Sequence, residues 1–432
     1  MNNRRRLLSK FLLSRKICTD TRKVKDGAIF FALKGDNFDG NVYAQNALDS
    51  GCVLSVVSDS CYQGNEKFLV VNDTLEALQN LALDYRLTLD VPVIGITGTN
   101  GKTTTKELLH SVLSSHLNCY ATSGNYNNHI GVPLSVLSIL PEHEIAIIEM
   151  GANKGADIEE LCEICLPNYG LITNVGKAHL EGFGSFENIK KTKKELYDFL
   201  GRKDSLVFMN KDNVHLIEMG ADLRNISYYS MTNESSVKGE ITDYGVTLKF
   251  SWKSEGFSSP EIKTNLTGAY NLENALAAVA VGLKFNVPAN KIIHSLENYK
   301  PSNNRSQIKK TEKNTLILDA YNANITSTKA ALVNLSGMDF SAKSKLFILG
   351  DMLELGDVSF EAHKEMMNYT EELGLEGIFV GEEYHKAGSE SYTCFKSASE
   401  LLSKIESLRI MDKVILIKGS RGIKLEVVED KL

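Results

Sequence analysis

IGITGTNGKTTTK, residues 94–106, is a short apolar run leading into a loop with two glycines, a lysine and a row of threonines. A helical pattern follows at once, so the order is strand, phosphate-binding loop and the positive end of a helix. Backbone N–H groups of Gly98, Thr99, Asn100, Gly101 and Lys102 can converge on a polyphosphate. Lys102 can lie along its oxygens, and the hydroxyl of Thr103, followed by Thr104, can hold Mg²⁺. The loop is tighter than the common P-loop, because Ile96 stands five residues before Gly101. An ordinary glycine-rich turn is the alternative, and it leaves the Lys-Thr pair unexplained.

Outward from this loop, EIAIIEM (144–150) and YGLITNV (169–175) read as buried strands, with helices expected over 103–115 and 155–165 and a polar loop at 122–133. Parallel βαβ topology gathers the strand ends on one edge of a sheet. Thr97 to Thr103 follow the first strand, Glu149 ends the second, and Asn174, Lys177 and His179 follow the third. Glu149 is a carboxylate in an apolar strand, and burying it unpaired is costly. A Mg²⁺ shared with Thr103 and a nucleotide answers that cost; capping of the next helix is the alternative. His179 sits in KAHLEGFGS, as a hydrogen-bonded loop histidine or as a ligand.

At 432 residues the chain is too long for one core. The net charge of -6, with signs interspersed, argues against a nucleic-acid face. Arg4, Arg5 and Arg6 resemble the start of a signal peptide, but Lys10 and Arg15 break the apolar run after them. No stretch is long enough to span a bilayer, and a cytoplasmic protein is expected. Seven cysteines without a framework spacing suit a reducing compartment. Cys162 and Cys165 read as two partly buried helical thiols rather than half a zinc site.

The chain reads as α/β in three parts, 1–88, 89–305 and 306–432. In the first, strands are expected at 27–33 and 52–59 and helices at 41–51 and 74–86, with the glycine-rich loop KGDNFDG at 34–40. Residues 204–265 are β-like and suggest an added antiparallel layer. Helix 271–285 closes the second part. The third has strands at 315–321, 345–352, 377–381 and 413–420.

The stretches GTNGKTTTKE, GNYNNHIGVPLS, IIEMGANKGADIEEL, ITNVGKAHLEGFGSFENIKKTKKEL, GAYNLENALAA, LDAYNAN, ILGDMLELG and KGSRG occur in this order. Together they resemble the Mur ligases of peptidoglycan synthesis. TDTRKVKDGAIFFALKGDNFDG is similar to the uridine-nucleotide domain of that family, so the resemblance spans nearly the whole chain. It implies a UDP-sugar domain (1–88), a central P-loop ATPase with a mainly parallel sheet (89–305) and a Rossmann-like domain that closes over the nucleotide (306–432). The activity implied is ATP-dependent addition of D-alanyl-D-alanine to UDP-N-acetylmuramoyl-tripeptide through an acyl phosphate, by a monomer. It involves ATP and two Mg²⁺, and neither nucleic acid nor membrane insertion.

Carried over by motif, Lys102 binds the β- and γ-phosphates, Thr103 and Glu149 hold one Mg²⁺, and His179 holds a second. A lysine carbamylated by CO₂ orients that second metal. The KTKKEL run offers Lys191, Lys193 and Lys194, and alignment on the following Glu-Leu selects Lys193. A carbamate needs the neutral amine, which a cation-rich, partly desolvated site favours. Lys190 and Lys191 read as a solvated face. Asn271 and Asn274 resemble the adenine contacts and share a helix face; Asn271 also suits an N-cap. Arg305 matches an arginine near the γ-phosphate and Asp319 an aspartate near the ribose. Tyr321, Asn322 and Asn324 match the dipeptide side, and Asn127 joins the substrate set. Thr21 and Arg22, with Phe38, Asp39 and Gly40, face the uridine nucleotide, although a salt-bridged surface arginine rivals that reading of Arg22. Tyr270 and Ile325 depart from the histidine and proline frequent at their positions. The rivals are a third-residue-adding ligase, whose Asp-Asn-Pro-Arg motif is missing, a folylpolyglutamate synthase and a non-catalytic nucleotide-binding protein.

Overall fold

The computed structural model describes residues 3–178, 180–302, 304–338 and 344–432. Three sheets follow one another along the chain, each the centre of an α/β domain. The first has four parallel strands in the order Ile17–Cys18, Ile29–Phe31, Leu54–Val57, Phe68–Val70. The loop expected at 34–40 contains a small hairpin, Lys34–Gly35 paired with Phe38–Asp39. The arginine-rich start forms helix Asn3–Ser14, which buries Leu7 and Phe11. Phe11 meets the ring of Tyr85 edge-on at 5.0 Å, so this segment is a packed element of the domain.

Helix Thr74–Arg86 joins the first domain to the second. Asp73 caps it by accepting from the N–H groups of Leu75 and Glu76. At its other end, buried Arg86 donates to the carbonyls of Cys165 and Leu89, and Tyr85 donates to Ile139 O at 2.6 Å. These direct bonds tie the end of the helix to the second domain.

The central sheet has strand Val93–Thr97 in the middle, flanked by Ile145–Glu149 and Tyr169–Ile172, all parallel. Register pairs Ile96 with Glu149 and Thr97 with Ile172, so the three carboxyl ends lie side by side. The separate antiparallel layer expected at 204–265 is not formed. Strands Leu206–Asn210, Ile226–Ser230 and Val237–Asp243 extend this same sheet in parallel; only its far end is antiparallel, where Lys249–Ser254 pairs with Val237–Asp243, Phe257–Ser258 and Ile262–Lys263. A short helix, Val214–Met219, interrupts the region. Helix Asn271–Lys284 packs its apolar face against helix Lys102–Ser114 in a fully buried core.

The third sheet has order Gln307–Lys310, Thr315–Asp319, Lys413–Lys418, Ser344–Gly350, Glu376–Val380, Thr393–Phe395, antiparallel only at its first pair. The two edge strands, Gln307–Lys310 and Thr393–Phe395, had no counterpart in the sequence reading. Cys162 and Cys165 are fully buried rather than partly so, with both sulfurs within 4 Å of Met150 Sδ. Among the described residues no helix is long and apolar enough to cross a membrane.

Candidate functional site

At the carboxyl edge of the central sheet lies a cavity of about 520 Å³, closed on its far side by the third domain. The phosphate loop forms its floor. Gly98 has φ +143° and a Cβ there would lie 2.0 Å from Thr173 Oγ1; Gly101 has φ +78° and a Cβ would lie 2.8 Å from Asn274 Oδ1. Only glycine permits both the backbone turn and the close approach. The loop is pinned to the third strand end: Asn174 Oδ1 accepts from Asn100 N–H at 3.0 Å, and Thr173 Oγ1 donates to Asn100 O at 2.6 Å. The ammonium of Lys102 folds back onto Gly98 O and Thr99 O, at 2.8 and 3.1 Å. Burial lowers its pKa, opposed by the charge of Glu149.

Glu149 is 1 % exposed. Its Oε1 accepts from Thr103 Oγ1 at 3.1 Å and from Asn127 Nδ2 at 2.8 Å, and it caps no helix. A threonine hydroxyl and a carboxylate oxygen held together in a polar cavity are the hard oxygen donors that Mg²⁺ takes, so the residues fit the metal that the sequence implied. His179 lies outside the described residues. Lys193 comes from helix Phe186–Gly201, is 3 % exposed, and lines the same cavity. Its neighbours go elsewhere: Lys190 pairs with Glu187 and Glu218, Lys191 is exposed, and Lys194 pairs with Asp198. Burial, reinforced by the charge of Lys102, brings the Lys193 ammonium down to about 7.

Asn271 and Asn274 share one helix face, with Asn274 Nδ2 donating to Asn271 Oδ1 at 2.8 Å. Asn271 is not an N-cap: it is the first helical residue, and its amide donates to Thr267 O and Ser306 Oγ. On the third domain, the Arg305 guanidinium lies 3.5 Å from the ring centre of Tyr321. Asp319 accepts from buried Lys418 at 2.7 Å, and Lys418 also donates to Asn322 O. Arg305, Asp319, Tyr321 and Asn322 line the cavity. Asn324 lies beside it, capping helix Ile325–Gly337 and donating to Asn100 Oδ1 at 2.7 Å, a direct bond from the third domain to the phosphate loop.

Thr21, Arg22, Phe38, Asp39 and Gly40 do not reach this cavity. Arg22 is salt-bridged to Asp20, as its rival reading held, with its side chain 88 % exposed. Phe38 stacks on Tyr43 at 5.6 Å, and Asp39 Oδ1 accepts from Asn41 N–H and Nδ2. A Cβ at Gly40 would lie 2.6 Å from Leu33 O, which fixes glycine there. All five belong to the first domain, where Gly40 is buried and Arg22, Phe38 and Asp39 are exposed.

Several cavity residues escaped the sequence reading. His129 and Asp157 form a pair at 3.1 Å on the rim. Glu273, between the two asparagines, is raised to about 7 by burial and the nearby charge of Asp212. Outside the cavity lining, Lys106, one helical turn after Lys102, has its ammonium 3.7 Å from Glu149 Oε2. The i, i+4 spacing of Lys102 and Lys106 was the available signal.

Comparison with known proteins bears on this geometry. The profile of the Mur ligase middle domain matches residues 96–282, that of the Mur ligase glutamate ligase domain 304–421, and that of the Mur ligase family catalytic domain 15–86. The UDP-N-acetylmuramoyl-tripeptide–D-alanyl-D-alanine ligase of Bacillus subtilis is 34 % identical over 437 residues, covering 96 % of this chain and 92 % of its own. The chain belongs to the Mur ligase family. Among solved Mur ligases, MurF from Acinetobacter baumannii superposes with a TM-score of 0.86 at 30 % identity, covering 96 % of this chain and 93 % of its own. MurF from Thermotoga maritima, in complex with ADP, also gives 0.86, at 25 % identity and 97 % of both chains. As a Mur ligase this chain is an ATP-dependent peptide ligase.

Proposed function

We propose that this Mur ligase joins D-alanyl-D-alanine to UDP-N-acetylmuramoyl-tripeptide, with ATP converted to ADP and phosphate. The observation that carries the reading is the convergence on one cavity of the phosphate loop, Thr103 with Glu149, and Lys193. A carboxylate is a poor electrophile because oxide would have to leave. Its oxygen therefore attacks the γ-phosphorus and ADP departs; the amine of the dipeptide then attacks the acyl phosphate, phosphate leaves and the amine gives up its proton.

The protein's part is binding and orientation. Lys102 turns from Gly98 O and Thr99 O to the β- and γ-phosphate oxygens. Arg305, its face on Tyr321, reaches the γ-phosphate, while Asn271 and Asn274 hold adenine and Asp319 the ribose. Thr103 and Glu149 would hold one Mg²⁺, and His179 with carbamylated Lys193 would hold a second; bound metal would supply neutralisation of the charge gathered between γ-phosphate and carboxylate. The neutral amine that CO₂ requires is favoured by the burial of Lys193 beside Lys102. Asn127, Tyr321, Asn322 and Asn324 face the peptide and dipeptide, and Thr21, Arg22, Phe38, Asp39 and Gly40 the uridine nucleotide. On this reading residues 1–88 bind the UDP sugar, 89–305 turn over ATP and 306–432 close the site, in a cytoplasmic monomer.

Phosphate release from ATP tests the assignment. It should require UDP-N-acetylmuramoyl-tripeptide and D-alanyl-D-alanine together. Turnover with a free amino acid and not with the dipeptide would transfer the chain to another branch of the family.

A further inference from the structure

Lys106 has no place in the reaction as described, yet it is among the most completely buried cations of the chain. Its side chain is 4 % exposed and that of Glu149 is 1 % exposed, so both charges have left water. The ammonium makes two contacts from helix Lys102–Ser114: a hydrogen bond to Gly124 O at 3.1 Å and an approach of 3.7 Å to Glu149 Oε2. Glu149 Oε2 accepts no hydrogen bond from any described residue, whereas Oε1 takes two, from Thr103 and Asn127. The carboxylate is thus two-sided. Oε1 is dressed by neutral donors from two cavity-lining residues, Thr103 and Asn127, that a cation can displace, and the buried Oε2 is faced by a fixed positive charge. The main chain is held as well, since Glu149 N–H donates to Thr122 Oγ1.

We propose that Lys106 is a positioning residue for Glu149. Its ammonium fixes the inner oxygen, so that Oε1 alone is offered to the cavity. Its charge also weakens the hold of the site on a divalent cation, letting the metal leave with ADP after each turnover. The contact with Gly124 O extends this control to the 122–130 loop that carries Asn127, so carboxylate and loop are set together. The inference rests on Glu149 being the metal-facing carboxylate.

Two consequences separate it from simple space-filling. Removing the Lys106 charge removes repulsion of a divalent cation, so Lys106→Met should bind metal more tightly while turning over more slowly. Lost packing would weaken both. A buried pair broken on one side also leaves an unpaired charge, whereas neutralising both sides does not.

The test compares wild type, Lys106→Met, Glu149→Gln and the double variant. ADP is titrated calorimetrically with and without Mn²⁺, and the ratio of the two affinities measures the metal. The expected result for Lys106→Met is a ratio raised on the order of tenfold, with kcat reduced. Thermal unfolding should show Lys106→Met strongly destabilised and Glu149→Gln largely restoring it. A ratio unchanged or lowered in Lys106→Met, with Glu149→Gln abolishing the metal effect, overturns the role of Lys106 alone. A metal effect that survives Glu149→Gln overturns the metal role of Glu149 and this inference with it. If Lys106→Met does not fold by itself, the double variant decides: a folded double variant supports the pair, and an unfolded one refutes it.

Discussion

Replacing Lys193 by methionine should remove a defined pH dependence from the stability of this chain. A lysine in the unfolded chain titrates near 10.5, and burial with the charge of Lys102 brings Lys193 in the folded chain to about 7. The folded value is the lower one. Between those two pH values the unfolded chain keeps a proton that the folded chain has released. Stability therefore rises with pH across that window, at about 1.4 kcal/mol per unit once titration is complete. At pH 7 the folded group is half titrated, so the gain from pH 7 to pH 9 is roughly 2 kcal/mol rather than about 2.7. Methionine keeps the length of the side chain and carries no charge. Any packing change it brings is the same at both pH values and cancels. The assay is urea unfolding of wild type and Lys193→Met in CO₂-free buffer at pH 7 and pH 9. Wild type should gain roughly 2 kcal/mol relative to the variant between the two conditions. An equal difference at both would refute a neutral, desolvated amine at this position.

Gly98→Ala puts a methyl 2.0 Å from Thr173 Oγ1 at a backbone angle of φ +143°; a loss of at least about 2 kcal/mol of stability and of measurable ADP binding is expected, by melting and calorimetry, and a variant that binds ADP normally would contradict the loop geometry. Asn324→Ala removes both a helix cap and the bond to Asn100. It should cost about 1–2 kcal/mol and raise the KM for ATP, whereas a stability loss with unchanged KM would mean that the residue only caps its helix.

The glycine-loop side of the cavity was readable because it rests on local rules. A strand, a glycine loop and a Lys-Thr pair fix one another's geometry within ten residues, and Glu149 stood out as a carboxylate in an apolar strand. Lys193 was separable from its neighbours by motif, and its burial in helix Phe186–Gly201 agrees with that choice. What the sequence withheld depends on contacts between distant segments. Alternating residues at 204–265 announce strands but not their partners, so the parallel extension of the central sheet was taken for a separate layer. Lys106 was not singled out: its i, i+4 spacing puts it on the helix face of Lys102, but nothing local says that Glu149, 43 residues later, comes to face it. Asn271 looked like a cap because asparagine favours that position; the buried amide instead donates to Thr267 O four residues back and to Ser306 Oγ from across the domain junction.

The central claim is that this crevice makes an acyl phosphate from the tripeptide carboxylate. It is tested most directly by supplying UDP-N-acetylmuramoyl-tripeptide labelled with ¹⁸O in its terminal carboxylate, together with ATP and D-alanyl-D-alanine, and weighing the phosphate released by mass spectrometry. One labelled oxygen in each phosphate, with the other retained in the new amide, is the expected result. Phosphate free of label, formed while the dipeptide is being joined, would contradict it.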